Sequence, residues 1–348
     1  MKDKVRMGVI GLGIMGESYV RVYGSYHHSE VTAICDSNDD RLQQIGDKYG
    51  LNTRYTRVDD LVANPNVDAV CVATPDFVHY EPVKKALLAG KHVIVEKPLT
   101  ISIDEADDLV RLQKATSLKL QVGYNHRWLS GYHAGFVSID RGDIGKPLMA
   151  YARKNDTIYV ATDYIKWAGS STPCYFLNSH DIDLVRWFFH SEPVEARAWG
   201  VKEVLVKRGI DTYDAIQSQV RFSSGAIAMF ESAWIYPNTF PAIVDSFVEV
   251  VGTRGHLHFD RKRESVEMST PEAFTYPKNF LNCEVFGKSR GAFPACLEDF
   301  VEAILNNREP HVTVRDGRQV TATLAAIHES LRTGNTETVR PAPAGPKA

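Results

Sequence analysis

The sequence predicts an α/β protein with two parts: an N-terminal doubly wound parallel sheet, and a C-terminal α+β domain with a large, mainly antiparallel, open sheet. Two observations predict this fold class. The first third of the chain alternates strand and helix signals, which is typical of repeated β-α units around a parallel sheet. Beyond about residue 124, runs rich in β-branched and aromatic residues follow one another across short turns, which favours antiparallel pairing.

The composition is that of a soluble two-domain protein. The chain has 348 residues, of which 44% are hydrophobic and 24% charged, and this length suits two domains with their own cores. The formal net charge is -3 and no basic run occurs, so we expect no nucleic-acid partner. No stretch reaches the roughly 20 apolar residues that span a bilayer, so we expect no membrane partner either.

The cysteines argue against a metal site and against a disulfide framework. Five occur, which is an odd number, and none has C-x-x-C spacing. Cys35 and Cys71 lie inside apolar runs. A zinc site requires clustered Cys and His at short fixed spacings, which the sequence lacks. We therefore expect buried thiols in a reducing, cytoplasmic compartment and no bound metal.

The first domain is expected over residues 1–123, where strands and helices alternate. Strands are predicted at 5–10, 31–35, 69–73, 92–95 and 118–122, and helices at 15–23, 39–49, 78–89 and 103–114. The run at 69–73 is wholly apolar, as in strands that are buried on both faces of a parallel sheet. Gly90 follows the third helix as its expected C-cap. Units of this size predict right-handed crossovers.

The second domain is expected over residues 124–340. Helices are predicted at 132–140 and 179–189, and strands at 194–206, 215–222, 226–235, 247–252 and 256–259. Turns at 223–225 and 253–255 join neighbouring strands. Because an open antiparallel sheet needs cover or one wet face, we expect a homodimer or homotetramer through this sheet. The Pro-, Ala- and Gly-rich residues 341–348 are expected to form a disordered tail.

A glycine-rich turn follows the first strand. Gly11, Gly13 and Gly16 form a G-x-G-x-x-G motif, with Ile14 and Met15 before its last glycine. The first glycine permits a tight turn, the second lets the backbone approach a pyrophosphate, and the third lets helix and strand pack closely. The helix N-terminus offers free N–H groups and a positive dipole end to the phosphates. This context predicts a dinucleotide-binding Rossmann domain and makes these five residues candidates for cofactor binding.

Asp36 ends the second predicted strand, 20 residues beyond Gly16. A carboxylate at this place accepts hydrogen bonds from both ribose hydroxyls and repels a 2′-phosphate, so NAD is favoured over NADP. Arg41 lies nearby and can in principle meet a phosphate. It falls within a predicted helix, so we expect a solvated arginine instead.

Two more polar loops leave the third and fourth strands. Thr74 and Pro75 follow the third, with His79 four residues on, and Glu96 and Lys97 follow the fourth. In an open α/β sheet, ligands bind outside the carboxyl ends of the strands. These five residues are therefore expected beside the dinucleotide.

Together these motifs resemble the glucose–fructose oxidoreductase / inositol dehydrogenase / MocA (Gfo/Idh/MocA) family, and the match runs along the whole chain. Further matching segments lie at 122–127, 180–183, 252–255 and 325–330. The resemblance implies that Lys97 contacts substrate and cofactor and takes part in proton transfer, and that His180 is the second catalytic group. A lysine beside a nicotinamide cation should have a lowered pKa, which suits a general base near neutral pH.

His180 is expected in the first turn of a helix, with Asn178 or Ser179 as N-cap, where the positive helix end favours a neutral imidazole. Asp183 lies on the same helix face, so a histidine tied to that aspartate is the alternative.

One position departs from the family pattern. Many members place an aspartate four residues before the histidine, where this chain has Phe176. Either Lys97 and His180 suffice, or another group such as Asp163 or Tyr164 stands in. The expected substrate-binding residues are Asn125, Arg127, Tyr164 and Trp167.

The expected function is that of an NAD(H)-dependent oxidoreductase. It would transfer a hydride between nicotinamide and a CH–OH or C=O carbon of a sugar, a sugar derivative or a cyclic polyol such as an inositol. Two alternatives stay open. One is a glycosidase or lyase that uses tightly bound NAD catalytically, and the other is a non-catalytic dinucleotide-sensing regulator.

Overall fold

The computed structural model describes residues 3–343. Within this range the chain forms two compact units. The first contains the residues up to 125 together with 282–318, and the second contains 126–281 together with the residues from 319 onward. The first unit thus includes a C-terminal segment that we expected in the second domain.

Alternating strands and helices build the N-terminal part of the first unit. The strands are β1 (Val5–Ile10), β2 (Ser29–Cys35), β3 (Arg54–Tyr55), β4 (Ala69–Val72), β5 (His92–Val95) and β6 (Leu120–Val122). The helices are α1 (Ile14–Ser25), α2 (Asp39–Tyr49), α3 (Val58–Ala63), α4 (Tyr80–Leu88) and α5 (Ile103–Thr116). The expected helix at 78–89 starts later because a 3₁₀ turn, Asp76–Val78, precedes it. The short elements β3 and α3 were not predicted.

These six strands form one parallel sheet in the order β3-β2-β1-β4-β5-β6. The predicted Rossmann sheet is confirmed. All four residues of β4 are buried, as the wholly apolar run indicated. The chain changes direction across the sheet between β1 and β4, and ligands bind outside the carboxyl ends of strands at such a switch point.

The second unit combines a larger sheet with helices. Its elements up to residue 281 are β7 (Pro147–Thr157), β8 (Pro193–Val201), β9 (Ala215–Phe222), β10 (Ile227–Tyr236), β11 (Val244–Gly252), β12 (His256–Asp260), β13 (Met268–Ser269), β14 (Phe274–Thr275), α6 (Ser130–Asp140) and α7 (Ser179–Phe189). Two π-helical turns, Val160–Tyr164 and Cys174–Asn178, lie between β7 and α7. The expected strand at 194–206 ends at Val201 and is followed by a 3₁₀ turn, Val206–Arg208.

The remaining elements follow β14. They are β15 (Cys283–Val285), β16 (Lys288–Arg290), α8 (Ala292–Leu305), α9 (Val314–Thr333) and β17 (Glu337–Thr338). Helix α8 belongs to the first unit because it buries apolar side chains there. The ring of Phe293 meets Tyr19 of α1 edge-on, with 5.2 Å between centroids. Gln121 of β6 donates a hydrogen bond to the carbonyl of Cys296 over 2.8 Å.

The sheet of the second unit has the order β12-β11-β7-β10-β9-β8-β17. Its pairs are antiparallel except for β7 with β10, which run parallel, so the expectation of a mainly antiparallel sheet is confirmed. Strand β7 was not predicted. Its second half, Lys-Asn-Asp-Thr, is polar yet buried, so it shows neither an apolar run nor an alternating pattern.

Two absences hold for the described part of the chain. Among residues 3–343, no helix is long and apolar enough to cross a membrane. Within the same range, no group of three His, Cys, Asp or Glu side chains is arranged to hold a metal ion. Residues 344–348 of the expected tail lie outside the described residues.

Candidate active site

The glycine-rich turn joins β1 to α1 and is built from contacts that only glycine allows. Gly11 has φ of +84°, and a Cβ there would come within 2.8 Å of the carbonyl oxygen of Ala73. A Cβ on Gly16 would collide with the carbonyl oxygen of Gly11. Because both obstacles are backbone atoms, no side-chain movement relieves them. Gly13 differs, since a Cβ there would meet nothing within 4 Å.

The start of α1 is open. Gly13 is the N-cap and supplies no side chain to bond the first amides, and the first N–H groups of a helix lack intrahelical acceptors. Ile14 is 49% exposed beside this end, while Met15 is half-buried. The open space at Gly13 and the uncapped amides fit the pyrophosphate of a dinucleotide.

Asp36 directly follows β2 and faces this turn. Its Oδ2 accepts a hydrogen bond from the amide of Leu12 at 2.7 Å, and its Oδ1 accepts one from the amide of Asn38 at 2.8 Å. Each carboxylate oxygen has two lone pairs, so both can accept a further hydrogen bond from a ribose hydroxyl. The carboxylate is thus fixed beside the glycine turn, where sequence reasoning expected it.

Arg41 lies in α2 as predicted, but it is not a solvated arginine. Its Nε donates to the carbonyl of Leu12 at 2.6 Å, and its Nη2 bonds Glu17 at 2.6 Å. Only 27% of its side chain is exposed. The expectation failed because a sequence window around α2 does not contain the partner, which lies on α1.

The loops after β4 and β5 are joined by a buried histidine. His79 is 1% exposed. Its Nδ1 lies 2.8 Å from the carbonyl oxygen of Pro98, and its Nε2 lies 2.9 Å from that of Thr74. Pro75 is the N-cap of the 3₁₀ turn after Thr74. His79 therefore holds both loops in place, with its ring nitrogens directed at their backbones.

The side-chain hydroxyl of Thr74 is also placed where a ligand could contact it. Its Oγ1 is buried and has no hydrogen-bond partner among the described residues. Buried hydroxyls nearly always have a partner. The hydroxyl lies at the carboxyl end of β4, where a dinucleotide binds in sheets of this kind.

Glu96 and Lys97 follow β5. Glu96 is 6% exposed, and its Oε1 accepts a hydrogen bond from the hydroxyl of Tyr19 at 2.9 Å. Burial raises the pKa of Tyr19 well above its usual value, so the phenol stays a donor. Lys97 is half-buried, and its amide donates to Glu96 Oε2 at 3.3 Å. Glu96 thus ties the backbone of Lys97 to helix α1.

The second unit places His180 in the first turn of α7, as predicted. Asn178 is the N-cap by position, but its side chain does not cap the helix. Instead its Nδ2 donates to Asp181 at 3.1 Å and to the carbonyl of Glu231 at 3.0 Å. The ring of His180 stacks on that of His126, with 4.0 Å between centroids and 14° between planes.

A buried ion pair lies beside these two rings. Lys154 of β7 contacts Asp181 at 2.5 Å, with side chains 4% and 0% exposed. The ammonium also lies 3.5 Å from Nδ1 of His126, and Arg261 Nη1 lies 3.4 Å from its Nε2. The ring of His126 therefore lies between the side chains of two cationic residues.

Sequence reasoning missed His126, Lys154 and Asp181 as functional candidates. The sequence could have indicated two of them, because His126 directly follows the candidate Asn125 and Asp181 directly follows the candidate His180. Lys154 had no signal of its own because the strand that carries it was not predicted.

Arg127 and Asp183 form a second buried pair. Arg127 Nε and Nη2 reach the two carboxylate oxygens at 2.8 and 2.5 Å, and the side chains are 8% and 0% exposed. The guanidinium also lies 5.5 Å from the ring of Trp187. Asp183 thus pairs with Arg127. Asn125, just before Arg127, is buried, and its Oδ1 has no hydrogen-bond partner among the described residues.

Phe176 and Trp167 are packed in an apolar cluster. Their ring centroids are 5.9 Å apart, and Phe176 lies 6.2 Å from Trp234. Both pack against the buried residues Val160, Ala161, Ile165, Ala168, Leu205 and Trp234. A carboxylate at position 176 would therefore enter an apolar environment, which costs free energy.

Asp163 and Tyr164, the two suggested stand-ins, lie in the first π-helical turn. Asp163 Oδ2 accepts from the hydroxyl of Thr162 at 2.6 Å. Tyr164 is 37% exposed, with its ring centroid 6.1 Å from that of Tyr159. Desolvation raises the pKa of Tyr164, so it remains a hydrogen-bond donor at neutral pH.

Two family models match the chain. Residues 5–124 match the oxidoreductase family's NAD-binding Rossmann fold, and residues 138–339 match the same family's C-terminal alpha/beta domain. The myo-inositol 2-dehydrogenase of Thermotoga maritima is 29% identical over 335 residues, covering 94% of this chain and 96% of that protein. The uncharacterized oxidoreductase YrbE of Bacillus subtilis is 28% identical over 341 residues, covering 96% of each.

Solved structures agree with this assignment. A probable dehydrogenase from Thermotoga maritima has a TM-score of 0.81 at 27% identity, covering 96% of this chain and 99% of that one. The parallel sheet with its glycine-rich turn is the arrangement that binds a dinucleotide, and the first family model assigns it to the NAD-binding oxidoreductases. Since the second family model alone spans more than half of the residues, the chain belongs to the Gfo/Idh/MocA family. It is an NAD-dependent dehydrogenase.

Proposed function

We propose that this enzyme transfers a hydride between NAD and a CH–OH or C=O carbon of a sugar or cyclic polyol of the inositol kind. The observation that carries the proposal is the pair of retained groups, Lys97 after β5 and a half-buried His180 at the start of α7. The inositol dehydrogenase among the relatives supports the substrate class. Retention of both groups speaks for catalysis rather than for a dinucleotide sensor.

Lys97 is proposed as the residue that moves the hydroxyl proton. NAD supplies the hydride acceptor when it is bound. Oxidation of an alcohol also releases a proton from oxygen, and a nearby cationic ring favours the neutral amine that accepts it. In the reverse direction the ammonium polarises the carbonyl and returns the proton. Glu96 and Tyr19 support this role by fixing the backbone of Lys97.

His180 is proposed as the second proton-transfer group. Its ring stacks on that of His126, which Lys154 and Arg261 flank. In its neutral form the imidazole of His180 can accept or pass a proton.

His126 is our proposal for the group that takes over the positioning role of the missing family aspartate. Its ring lies flat against His180 and has Lys154 and Arg261 beside its two nitrogens, one of which can accept a hydrogen bond. The buried ion pair of Lys154 with Asp181 holds this arrangement in place. Asn125, Arg127, Tyr164 and Trp167 remain proposed substrate contacts, and for Arg127 the bonds to Asp183 support a positioning role.

The proposal is tested by mixing the enzyme with NAD and a panel of inositols, aldoses and sugar acids and following NADH absorbance. A Lys97→Met or His180→Asn variant should lower kcat by about 100-fold or more, because general acid–base groups contribute on this order. Lys114→Met, at an exposed lysine of α5, is the matched control and should leave the rate unchanged. Silence across the panel with tight NAD binding would contradict the proposal and favour a bound-cofactor lyase or a sensor.

We further propose a homodimer or homotetramer formed through the sheet of the second unit. Large apolar side chains are exposed on it, including Met149 at 45%, Trp199 at 55% and Ile227 at 53%. Strand β9 alternates buried and exposed residues, so one face of the sheet is open. Sedimentation velocity should give a dimer or larger species that Trp199→Glu dissociates, and a monomeric wild-type enzyme would contradict this.

A reducing, cytoplasmic compartment is also part of the proposal. All five cysteines are free and four are buried, which supports it.

A further inference from the structure

A charged cluster lies between helices α1 and α2 in the first unit. Its centre is Glu17, which bonds Arg41 Nη2 at 2.6 Å and Lys48 Nζ at 2.6 Å. The hydroxyl of Tyr49 donates to the same carboxylate at 3.2 Å. Glu17 is 24% exposed, Arg41 27% and Lys48 58%. The cluster is therefore accessible to solvent, but its charged groups are paired with one another.

The cluster adjoins the carboxylate that is expected to bind the adenosine ribose. Arg41 Nε donates to the carbonyl of Leu12 at 2.6 Å, and the amide of Leu12 donates to Asp36 Oδ2 at 2.7 Å. A single residue of the glycine turn thus connects the guanidinium to Asp36. NAD and NADP differ at the ribose 2′ position, which is where Asp36 would bind.

A free guanidinium at this place would favour the wrong cofactor. Arginine is always charged, and its planar fork suits the oxygens of a phosphate. Arg41 is prevented from acting in this way because Glu17 takes its Nη2, while Gln44 accepts from its Nη1 at 2.7 Å. Lys48 and Arg41 lower the pKa of Glu17, so this carboxylate is ionised at neutral pH and offsets their positive charge.

We propose that Glu17 is a specificity-determining residue for the cofactor, which withholds Arg41 from the 2′-phosphate of NADP. Discrimination between NAD and NADP then depends on two carboxylates. Asp36 repels the phosphate directly, and Glu17 neutralises the nearest arginine. This inference concerns the dinucleotide alone and does not depend on the identity of the sugar or polyol.

The test is isothermal titration calorimetry with NADH and NADPH in the absence of substrate. Glu17→Gln keeps the size of the side chain but removes its charge and replaces one of its two acceptor oxygens by an NH₂ donor. We expect the Kd for NADPH to fall about 10-fold, which is the value of one additional hydrogen bond to a charged group. The Kd for NADH should stay within about 3-fold, because Asp36 still binds the ribose. The gain should shrink at high salt.

Two further variants separate specificity from a structural role. In Glu17→Gln/Arg41→Met the gain in NADPH affinity should disappear. Arg41→Met alone should leave NADPH binding unchanged, because the wild-type guanidinium is already engaged. Glu30→Gln, at an exposed glutamate of β2, is the control. The proposal is overturned if Glu17→Gln changes both affinities equally or changes neither, or if Arg41→Met weakens NADPH binding to the wild-type enzyme.

Discussion

The two units handle charge in opposite ways. In the first unit, the groups available to a ligand are the uncapped backbone amides at the start of α1 and the hydroxyl of Thr74 after β4. The charged cluster around Glu17 in this unit is partly exposed. Around His180 in the second unit, two ion pairs are almost fully buried. Solvent screens the partly exposed charges around Glu17. A buried ion pair, in contrast, becomes strongly unfavourable when one of its two partners is removed. We infer that charge changes alter ligand preference in the first unit but stability in the second.

The largest effect should come from breaking a buried pair in the second unit. Asp183→Asn leaves the guanidinium of Arg127 buried without its counter-charge, which should cost about 3–5 kcal/mol of the free energy of unfolding. Urea denaturation checks this. Lys207→Met, which breaks an i,i+4 pair with both side chains at least 70% exposed, should cost less than about 1 kcal/mol. Equal losses in the two variants would remove the contrast between buried and exposed charge.

A smaller effect is expected at the glycine turn, where steric fit rather than charge determines the affinity for NAD. Gly16→Ala drives a methyl group into the Gly11 carbonyl, and such overpacking costs about 1–3 kcal/mol. NAD affinity measured by calorimetry should therefore fall about 10- to 100-fold. Gly24→Ala, in the same helix and with nothing within 4 Å, is the control and should bind NAD normally. An unchanged Kd in Gly16→Ala would show that the turn tolerates a Cβ.

The smallest effect is a pH dependence in the second unit. Desolvation lowers the pKa of His328 from 6.5 to about 4. The ring is neutral in the fold, since Nδ1 donates to the carbonyl of Leu324 at 2.7 Å and Nε2 accepts from Thr172 at 2.8 Å. Between pH 6.5 and 4 the unfolded chain binds the extra proton, so the free energy of unfolding should fall as the pH drops through this window.

Substitution of His328 isolates this contribution. His328→Gln should flatten the decline in the free energy of unfolding between pH 6.5 and 4, while His27→Gln, at an exposed histidine, should leave it unchanged. A decline of the same size in His328→Gln would assign the pH dependence to other groups.

The same contrast explains what the sequence could predict. The glycine turn, Asp36 and the loops at Thr74 and Lys97 depend on local patterns at strand ends, and the bounds of α2 and α7 were predicted to the residue. Pairings between distant segments could not be predicted. Lys154 and Asp181 are 27 residues apart, and Arg41 and Glu17 are 24 apart. The return of residues 282–318 to the first unit is of the same kind, because it depends on long-range packing of α8.

The central claim is that a hydride passes from a CH–OH carbon of the substrate to NAD. It is tested most directly with a polyol from the active panel that carries deuterium at the reacting carbon. We predict free reduced cofactor with deuterium at C4 of the nicotinamide, a rate slower than with the unlabelled polyol, and loss of both signals in Lys97→Met. Deuterium that stays in the product without free labelled NADH would contradict the claim and identify a transient oxidation by bound cofactor.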